Sequence, residues 1–440
     1  MGTPTNISDL LAVATGERAF QTILVQLCVI IAAARILSAL FKKLRQPIVV
    51  GEILAGIVLG PSLFGRFFPE ISSKVFDPAV AEVFTALAQL GLVLLLFNIG
   101  LEFDFVHLKS KVNASISISA MGTVLPFGLG LWLGHALVPY LGLDVSPWPF
   151  ALFMGTTLSI TALPILGRIM LELNFARTRL GTVTITSAAI DDAVGWILLA
   201  SVTAVVQAAY DPSVALRMSL MTAGFFLLVA FVIRPVVGKW LAQEIVREHG
   251  LGLRSMTVLL IMLFLCALAT SKIGIFTIFG AFVLGAVLSQ TPGLREAVRE
   301  RLSGITTVLF LPVFFTYTGL RTNIGSLDTS ALWLAAGAVS LVAIFGKLVG
   351  CTTAARLSGF SWREAGCIGA MMNTRALMAL IVINIGKDLG VLPENVFSML
   401  VMMAVVTTIM TTPLLLTLSR KTSLEPLIAE SEFMRPNRAS

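Results

Sequence analysis

Thirteen apolar stretches, each close to the length a helix needs to cross a bilayer, follow one another along the chain with only short polar turns between them. They lie near 20–41, 47–63, 83–101, 114–138, 149–169, 180–208, 217–241, 256–272, 274–290, 303–320, 331–355, 364–386 and 396–418. A hydrocarbon core is crossed by about 20 helical residues. Backbone inside lipid must satisfy its own hydrogen bonds, which restricts spanning structures to helices and closed barrels. The expected fold is therefore an all-α polytopic membrane protein of about thirteen transmembrane helices, with no stretch left over for a soluble domain. Composition agrees, since 57% of the 440 residues are hydrophobic and 12% charged, far from the balance of a soluble domain.

The formal charge of +7 does not point to nucleic acid, because the basic residues form no patch on one face. They mark orientation instead. Loops on one side and the C-terminal tail hold Lys42, Lys43, Arg45, Lys109, Lys111, Arg168, Arg177, Arg179, Lys239, Arg247, Arg254, Arg295, Arg299, Arg301, Arg356, Arg363, Arg420, Lys421, Arg435 and Arg438. The other side holds Arg18, Arg66, Lys74, Arg217, Lys272, Arg321 and Lys387. By the positive-inside rule the N-terminus is expected outside and the C-terminus in the cytoplasm, in a membrane of the bacterial inner (plasma) type. The first span is too long for a secretory leader and is followed by Lys42 and Lys43, so it reads as a retained helix. Cys28, Cys266, Cys351 and Cys367 sit in apolar stretches without disulfide or metal spacing.

Thirteen spans divide as six, one and six. Two halves, 20–208 and 256–418, are expected as inverted repeats around a linker helix at 217–241, with 419–440 a short cytoplasmic tail. Corresponding spans are then seven apart, and the fifth and twelfth both look broken. The fifth places Gly155, Thr156, Thr157, Ser159, Thr161 and Pro164 at mid-membrane, and the twelfth places Asn373, Thr374 and Arg375 there. Interruptions at matching places point to a transporter's binding site. Hydroxyls that bond back to their own helix and an ordinary proline kink would explain the fifth span alone.

Asp191 and Asp192, in the middle of the sixth span, are the sharpest feature, because intramembrane acids are costly and functional by default. Neighbours on a helix point about 100° apart, so the two need different partners. Burial favours the protonated form of a carboxylate, and a cation competes with that proton. This makes Asp192 the expected exchange site. Lys347 in the eleventh span is the expected counter-charge of Asp191, lowering the cost of burying both. The bland reading of Lys347 is a side chain snorkelling to the nearby membrane face. Arg375 is expected to hold helix ends or repel surplus cations. Glu52, Asn98 and Arg35 are weaker candidates, and Gly51, Gly56 and Gly60 form a small-residue face suited to packing helices or a second protomer.

These residues resemble the transmembrane domain of cation:proton antiporters, in the branch that includes plant CHX exchangers and bacterial Kef-like and NapA-like proteins. The resemblance covers nearly the whole chain. It rests on Gly51-Glu52 through Pro61-Ser62, Phe97-Asn98-Ile99-Gly100-Leu101-Glu102, Ser159-Ile160-Thr161-Ala162-Leu163-Pro164 through Arg168, and the Asp191-Asp192 segment. It rests also on Leu311-Pro312 through Gly319-Leu320-Arg321 and on Asn373-Thr374-Arg375 through Lys387-Asp388. It implies the fold of NhaA and NapA, with crossed discontinuous helices, and a homodimer in which a core domain moves against a dimerisation domain. It implies Asp192 as the ion-binding aspartate, Asp191 and Lys347 as the pair found in electrogenic relatives, and Thr157 and Asn373 flanking the site, with Ser159, Thr161, Thr374 and Arg375 supporting. Ala376 departs from the usual Gly and should stiffen the twelfth helix slightly.

The expected activity is secondary antiport of protons against monovalent cations (sodium, potassium, and lithium by extension), serving pH homeostasis, with the lipid bilayer as surroundings. No cofactor and no enzymatic chemistry are expected. No glycine loop that would cradle ATP phosphates is present in the sequence. A nucleotide- or glutathione-sensing domain is not expected in the short stretch after Ser419. A sodium-coupled symporter of a small organic anion, held by Arg375, is the alternative. An intramembrane aspartyl protease would need its two aspartates on separate helices, and a channel has less use for a buried acid–lysine pair.

Overall fold

The computed structural model describes residues 7–44, 46–102, 112–173, 175, 178–207, 212–248, 250–274 and 277–431. Arg45, Lys109, Lys111, Arg177, Arg435 and Arg438, which enter the orientation count, lie outside the described residues. Among the described residues the chain is helical with no strand. Eleven helices among the described residues are long and apolar enough to cross a membrane. The other two expected spans correspond to an interrupted helix, Pro147–Ser159 and Leu163–Glu172, and a shorter apolar helix, Thr277–Leu288. Several helices run beyond the ends of the expected spans. The first helix runs Ile7–Lys43, and the linker extends unbroken from Pro212 to Glu248 through a π-helical stretch, Val229–Gly238, that contains Pro235.

We number the spanning units α1 (Ile7–Lys43), α2 (Ile48–Leu59), α3 (Ala81–Glu102), α4 (Val112–Leu141), α5a (Pro147–Ser159), α5b (Leu163–Glu172), α6 (Arg179–Gln207) and α7 (the linker). They continue as α8 (Leu253–Ile273), α9 (Thr277–Leu288), α10 (ending in Leu311–Leu320), α11 (Ser330–Leu357), α12a (Trp362–Met372), α12b (Ala376–Asp388) and α13 (Glu394–Leu418). Local signals set several ends. Ser361 and Glu364 close a capping box at the start of α12a, which satisfies two orphan N–H groups at once. Gly274, at φ +99, ends α8 in a left-handed turn that a side chain would resist.

The units pack as two bundles. One is α1–α3 with α8–α10, in which α2 lies on α10 and α3 on α9. The other is α4–α6 with α11–α13, in which α4 lies on α5a, α6 and α11, and α11 on α12a and α13. Contact between the bundles is thinner, through α2 against α12b and α13 and Trp196 of α6 against Phe279 and Phe282 of α9. In an apolar 18-residue stretch of the interrupted α12 span 94% of the residues are buried, against 11% in the corresponding stretch of α7. The broken helix therefore forms the centre of the molecule and the linker its edge.

Glycines set the closest approaches in the first bundle. A Cβ on Gly56 would lie 2.0 Å from the Thr316 carbonyl oxygen, and one on Gly285 would lie 2.2 Å from that of Phe97. The small-residue face of α2 is thus spent within the chain, Gly51 against α1 and Gly56 and Gly60 against α10. Backbone in contact with backbone cannot shift cheaply, so Gly56→Ala should cost about 2 kcal/mol or more, the range of overpacking. Gly128, whose Cβ would meet nothing within 4 Å, should accept Ala with no loss. Thermal unfolding of the two detergent-purified variants checks this, and equal melting temperatures would refute the packing argument.

Candidate functional site

Both chain breaks fall at the centre of the second bundle, and they are bonded to each other. The Ala162 N–H donates to the Thr374 carbonyl at 2.8 Å. The Thr161 hydroxyl lies 3.1 Å from the Met372 carbonyl oxygen. A helix stopped in mid-membrane leaves carbonyls without partners at one end and N–H groups at the other. Arg375 answers the first need. Its Nη1 donates to the carbonyls of Thr157 (3.2 Å) and Leu158, and its Nη2 to that of Ala343 at 2.7 Å. Both terminal nitrogens of this fully buried guanidinium are therefore engaged with backbone. Its Nε has no partner. Thr408 Oγ1 accepts the Ala376 N–H at 3.2 Å, and Thr374 shares a hydroxyl bond with Thr411 at 3.0 Å.

Asp191 and Asp192 enter this centre from α6, each only 1% exposed, and their surroundings differ sharply. Asp191 Oδ2 accepts from Lys347 Nζ at 2.6 Å and from Thr161 Oγ1 at 2.8 Å. Asp191 Oδ1 accepts from Ser119 Oγ at 2.5 Å and from Thr123 Oγ1 at 3.2 Å. Lys347 is itself fully buried, so it does not snorkel. Asp192 has no hydrogen-bond partner on either oxygen. The Leu163 N–H, at the start of α5b, faces it without closing a bond, so the positive end of a half-helix points at a bare carboxylate.

Asn373 is another buried group with spare capacity, since neither its amide oxygen nor its nitrogen has a partner. Thr157 has donated its proton to the Phe153 carbonyl at 2.7 Å, and Ser159 to that of Thr156 at 2.9 Å. Each can offer a further ligand only its oxygen lone pairs. Of the residues singled out from sequence, Asp191, Lys347, Thr161 and Arg375 form one connected network with the chain breaks. Ser159 bonds within its own helix. Arg35 donates to the Thr307 carbonyl at 3.0 Å, a contact between helices away from the centre.

Ser119 and Thr123 were not anticipated. They sit one turn apart on α4, with Gly122 between them, and a Cβ on Gly122 would meet Cys351 Sγ at 2.5 Å. That close approach of α4 to α11 brings the two hydroxyls onto Asp191. Trp196, one turn beyond Asp192 on α6, was missed too. It is buried, its indole N–H has no partner, and its ring packs edge-on against Phe279 at 5.4 Å.

Chemically, a buried carboxylate without donors is unstable as a bare anion and has two ways out, a proton or a cation. Comparison with known proteins places the chain in a family. The family model for the sodium/hydrogen exchanger, transmembrane, matches residues 29–417. The Arabidopsis thaliana protein named Cation/H(+) antiporter 17 is 36% identical over 400 residues, covering 91% of this chain and 48% of its own length. The Na(+)/H(+) antiporter NhaS4 of Synechocystis is 37% identical over 399 residues, covering 89% of this chain and 96% of its own. This chain thus spans about half the plant protein and nearly all of the cyanobacterial one. Among solved structures, the sodium proton antiporter MjNhaP1 from Methanocaldococcus jannaschii superposes with a TM-score of 0.64 at 16% identity, over 94% of this chain and 100% of that one, a likeness of fold. The chain belongs to the sodium/hydrogen exchanger family of cation/proton antiporters.

Proposed function

We propose that this chain exchanges protons for a small monovalent cation, sodium or potassium and by extension lithium, with Asp192 as the group for which they compete. The observation that supports this best is the unequal treatment of two neighbouring carboxylates. Asp191 is saturated by four donors, whereas Asp192, equally buried, has none. A structural acid would have been given partners. Asn373 supplies a neutral amide oxygen to a dehydrated cation, and Thr157 a hydroxyl oxygen. Because one site holds either ion, a gradient of one drives the other the opposite way.

In this reading the bundle α4–α6 with α11–α13 carries the site and shifts against α1–α3 with α8–α10, exposing Asp192 to each side in turn. The matched contacts α2–α10 with α3–α9, and α4–α5a with α11–α12a, are what two inverted repeats at 20–208 and 256–418 would produce. The Lys347–Asp191 pair lies beside the site, and its opening as a cation binds would release a second proton, making exchange electrogenic. A homodimer belongs to this reading as what the family resemblance implies. With the N-terminus outside and a bacterial-type plasma membrane, inward protons would drive cations out.

The test is purified protein in liposomes with a preset pH gradient. Sodium, potassium or lithium is added and lumenal pH followed. Collapse of the gradient by at least one of the three, absent from empty liposomes, is expected. Correctly inserted protein that answers none of them would overturn the reading.

A further inference from the structure

Two stretches that the ion site leaves unused, the end of α10 at Arg321 and the end of α12b at Asn384-Ile385-Gly386-Lys387-Asp388, meet at one edge of the molecule. We propose that Arg321 and Asp388 form a latch that holds the crevice between the two bundles shut at this face. The strength of the pair then sets how readily the site opens there. The inference rests on the exchange reading above, in which the bundles move against each other.

Arg321 belongs to the first bundle and Asp388 to the second. Arg321 Nη2 meets Asp388 Oδ1 at 2.6 Å, and Nη1 donates to Asn384 Oδ1 at 3.2 Å. Asn384 reaches back, donating from Nδ2 to Thr318 Oγ1 at 3.0 Å. Lys387 Nζ donates to the Arg321 carbonyl at 3.2 Å and sits 4.2 Å from the centre of the Phe397 ring. Glu394, a further charge at this face, accepts from Asn323 Nδ2 at 3.0 Å, and Asp77 lines a neighbouring cavity with Arg321. The latch is thus a set of charge-assisted bonds from helix end to helix end across the seam. Its two charged side chains keep 23% and 35% of their surface exposed. Water can therefore solvate them when they part, which makes the bond reversible, unlike the buried Lys347–Asp191 pair.

Behind the latch lies a cavity of only about 50 Å³ between α3, α9, α10 and α12b, with Ala88, Thr277 and Ile381 in its wall. Deeper still, Trp196 packs against Phe279 and Phe282 one turn from Asp192. The path from this face to Asp192 is closed twice, by a polar outer layer and an aromatic inner one. Apolar surfaces slide without losing specific partners. The ion pair must break, so it is the part whose removal changes the opening rate.

Ala88→Cys, made in a Cys28→Ser background, places a thiol inside the closed crevice, and a membrane-impermeant maleimide applied to each face reads its opening. Asp388→Asn should raise the labelling rate from the latch face on the order of twofold to fivefold, the scale of a partly exposed pair. The charge-swapped variant, Arg321→Asp with Asp388→Arg, should return it most of the way to the parent. Arg321→Lys, which keeps the charge and loses the fork, provides a milder variant should the others fail to insert, and should label at an intermediate rate. Labelling that is indifferent to Asp388→Asn and Arg321→Lys, or a swap that labels as fast as the single variant, would overturn the latch. Labelling does not require that ions move. If the parent collapses no pH gradient while labelling responds as stated, the exchange reading fails and the latch stands. If exchange proceeds and labelling is indifferent, only the latch fails.

Discussion

Asp192→Asn will give a protein that folds and inserts as the parent does and that collapses a pH gradient no faster than empty liposomes, whichever cation is added. Asn is nearly the same size as Asp and cannot change charge, so the competition between proton and cation has nothing to act on. The fold has no reason to suffer, because Asp192 makes no hydrogen bond to lose. A buried carboxylate that must be neutralised costs the fold more than a buried amide does. The melting temperature should therefore stay level or rise by a few degrees, the response of a large domain to about 1 kcal/mol. Loss of exchange without loss of stability separates a working acid from a structural one. A variant that still collapses the gradient at the parent's rate would remove Asp192 from the mechanism. A variant that melts far below the parent would show an undetected structural role.

The two chain breaks were legible in the sequence because each breaks a rule of its surroundings. Gly155 through Pro164 and Asn373-Thr374-Arg375 put residues that interrupt helices, or that need partners, where lipid supplies none. The charged residues were legible for the same reason. An acid pair and an isolated lysine in apolar spans must find each other or pay the full cost of burial, and Lys347 and Asp191 lie 2.6 Å apart.

The hydroxyls were not legible, because most of them in this chain do the bland thing. Thr157, Thr184, Ser187, Thr318 and Thr407 all donate to a carbonyl one turn back on their own helix. Nothing in the residue type tells Ser119 and Thr123, which donate to Asp191, from these. Only the close approach of α4 and α11 at Gly122 does so, and that is a tertiary fact. The latch was hidden differently. Arg321 and Asp388 sit at span ends, where charge is ordinary, and only the packing of α10 beside α12b makes them partners.

The second large effect is expected at Lys347, and it falls on stability as well as transport. Lys347→Gln removes the only cation bonded to Asp191 among the described residues and leaves that carboxylate with three hydroxyl donors and no counter-charge. Breaking a buried pair by removing one partner costs about 3–5 kcal/mol, so the variant should melt well below the parent. The double variant Asp191→Asn with Lys347→Gln removes both charges, and two neutral amides among the same hydroxyls of Ser119, Thr123 and Thr161 should recover most of that loss. If the pair also yields the second proton, the double variant with Asp192 intact still exchanges one proton for one cation. Its rate should then no longer respond to a membrane potential clamped with an ionophore selective for an ion that the protein does not transport, whereas the parent's should. Thermal unfolding decides the first part and the clamped liposome assay the second, independently. A single variant as stable as the parent would mean that Asp191 is already neutral when Lys347 is absent. A double variant that keeps the parent's response to potential would assign the second charge to another group.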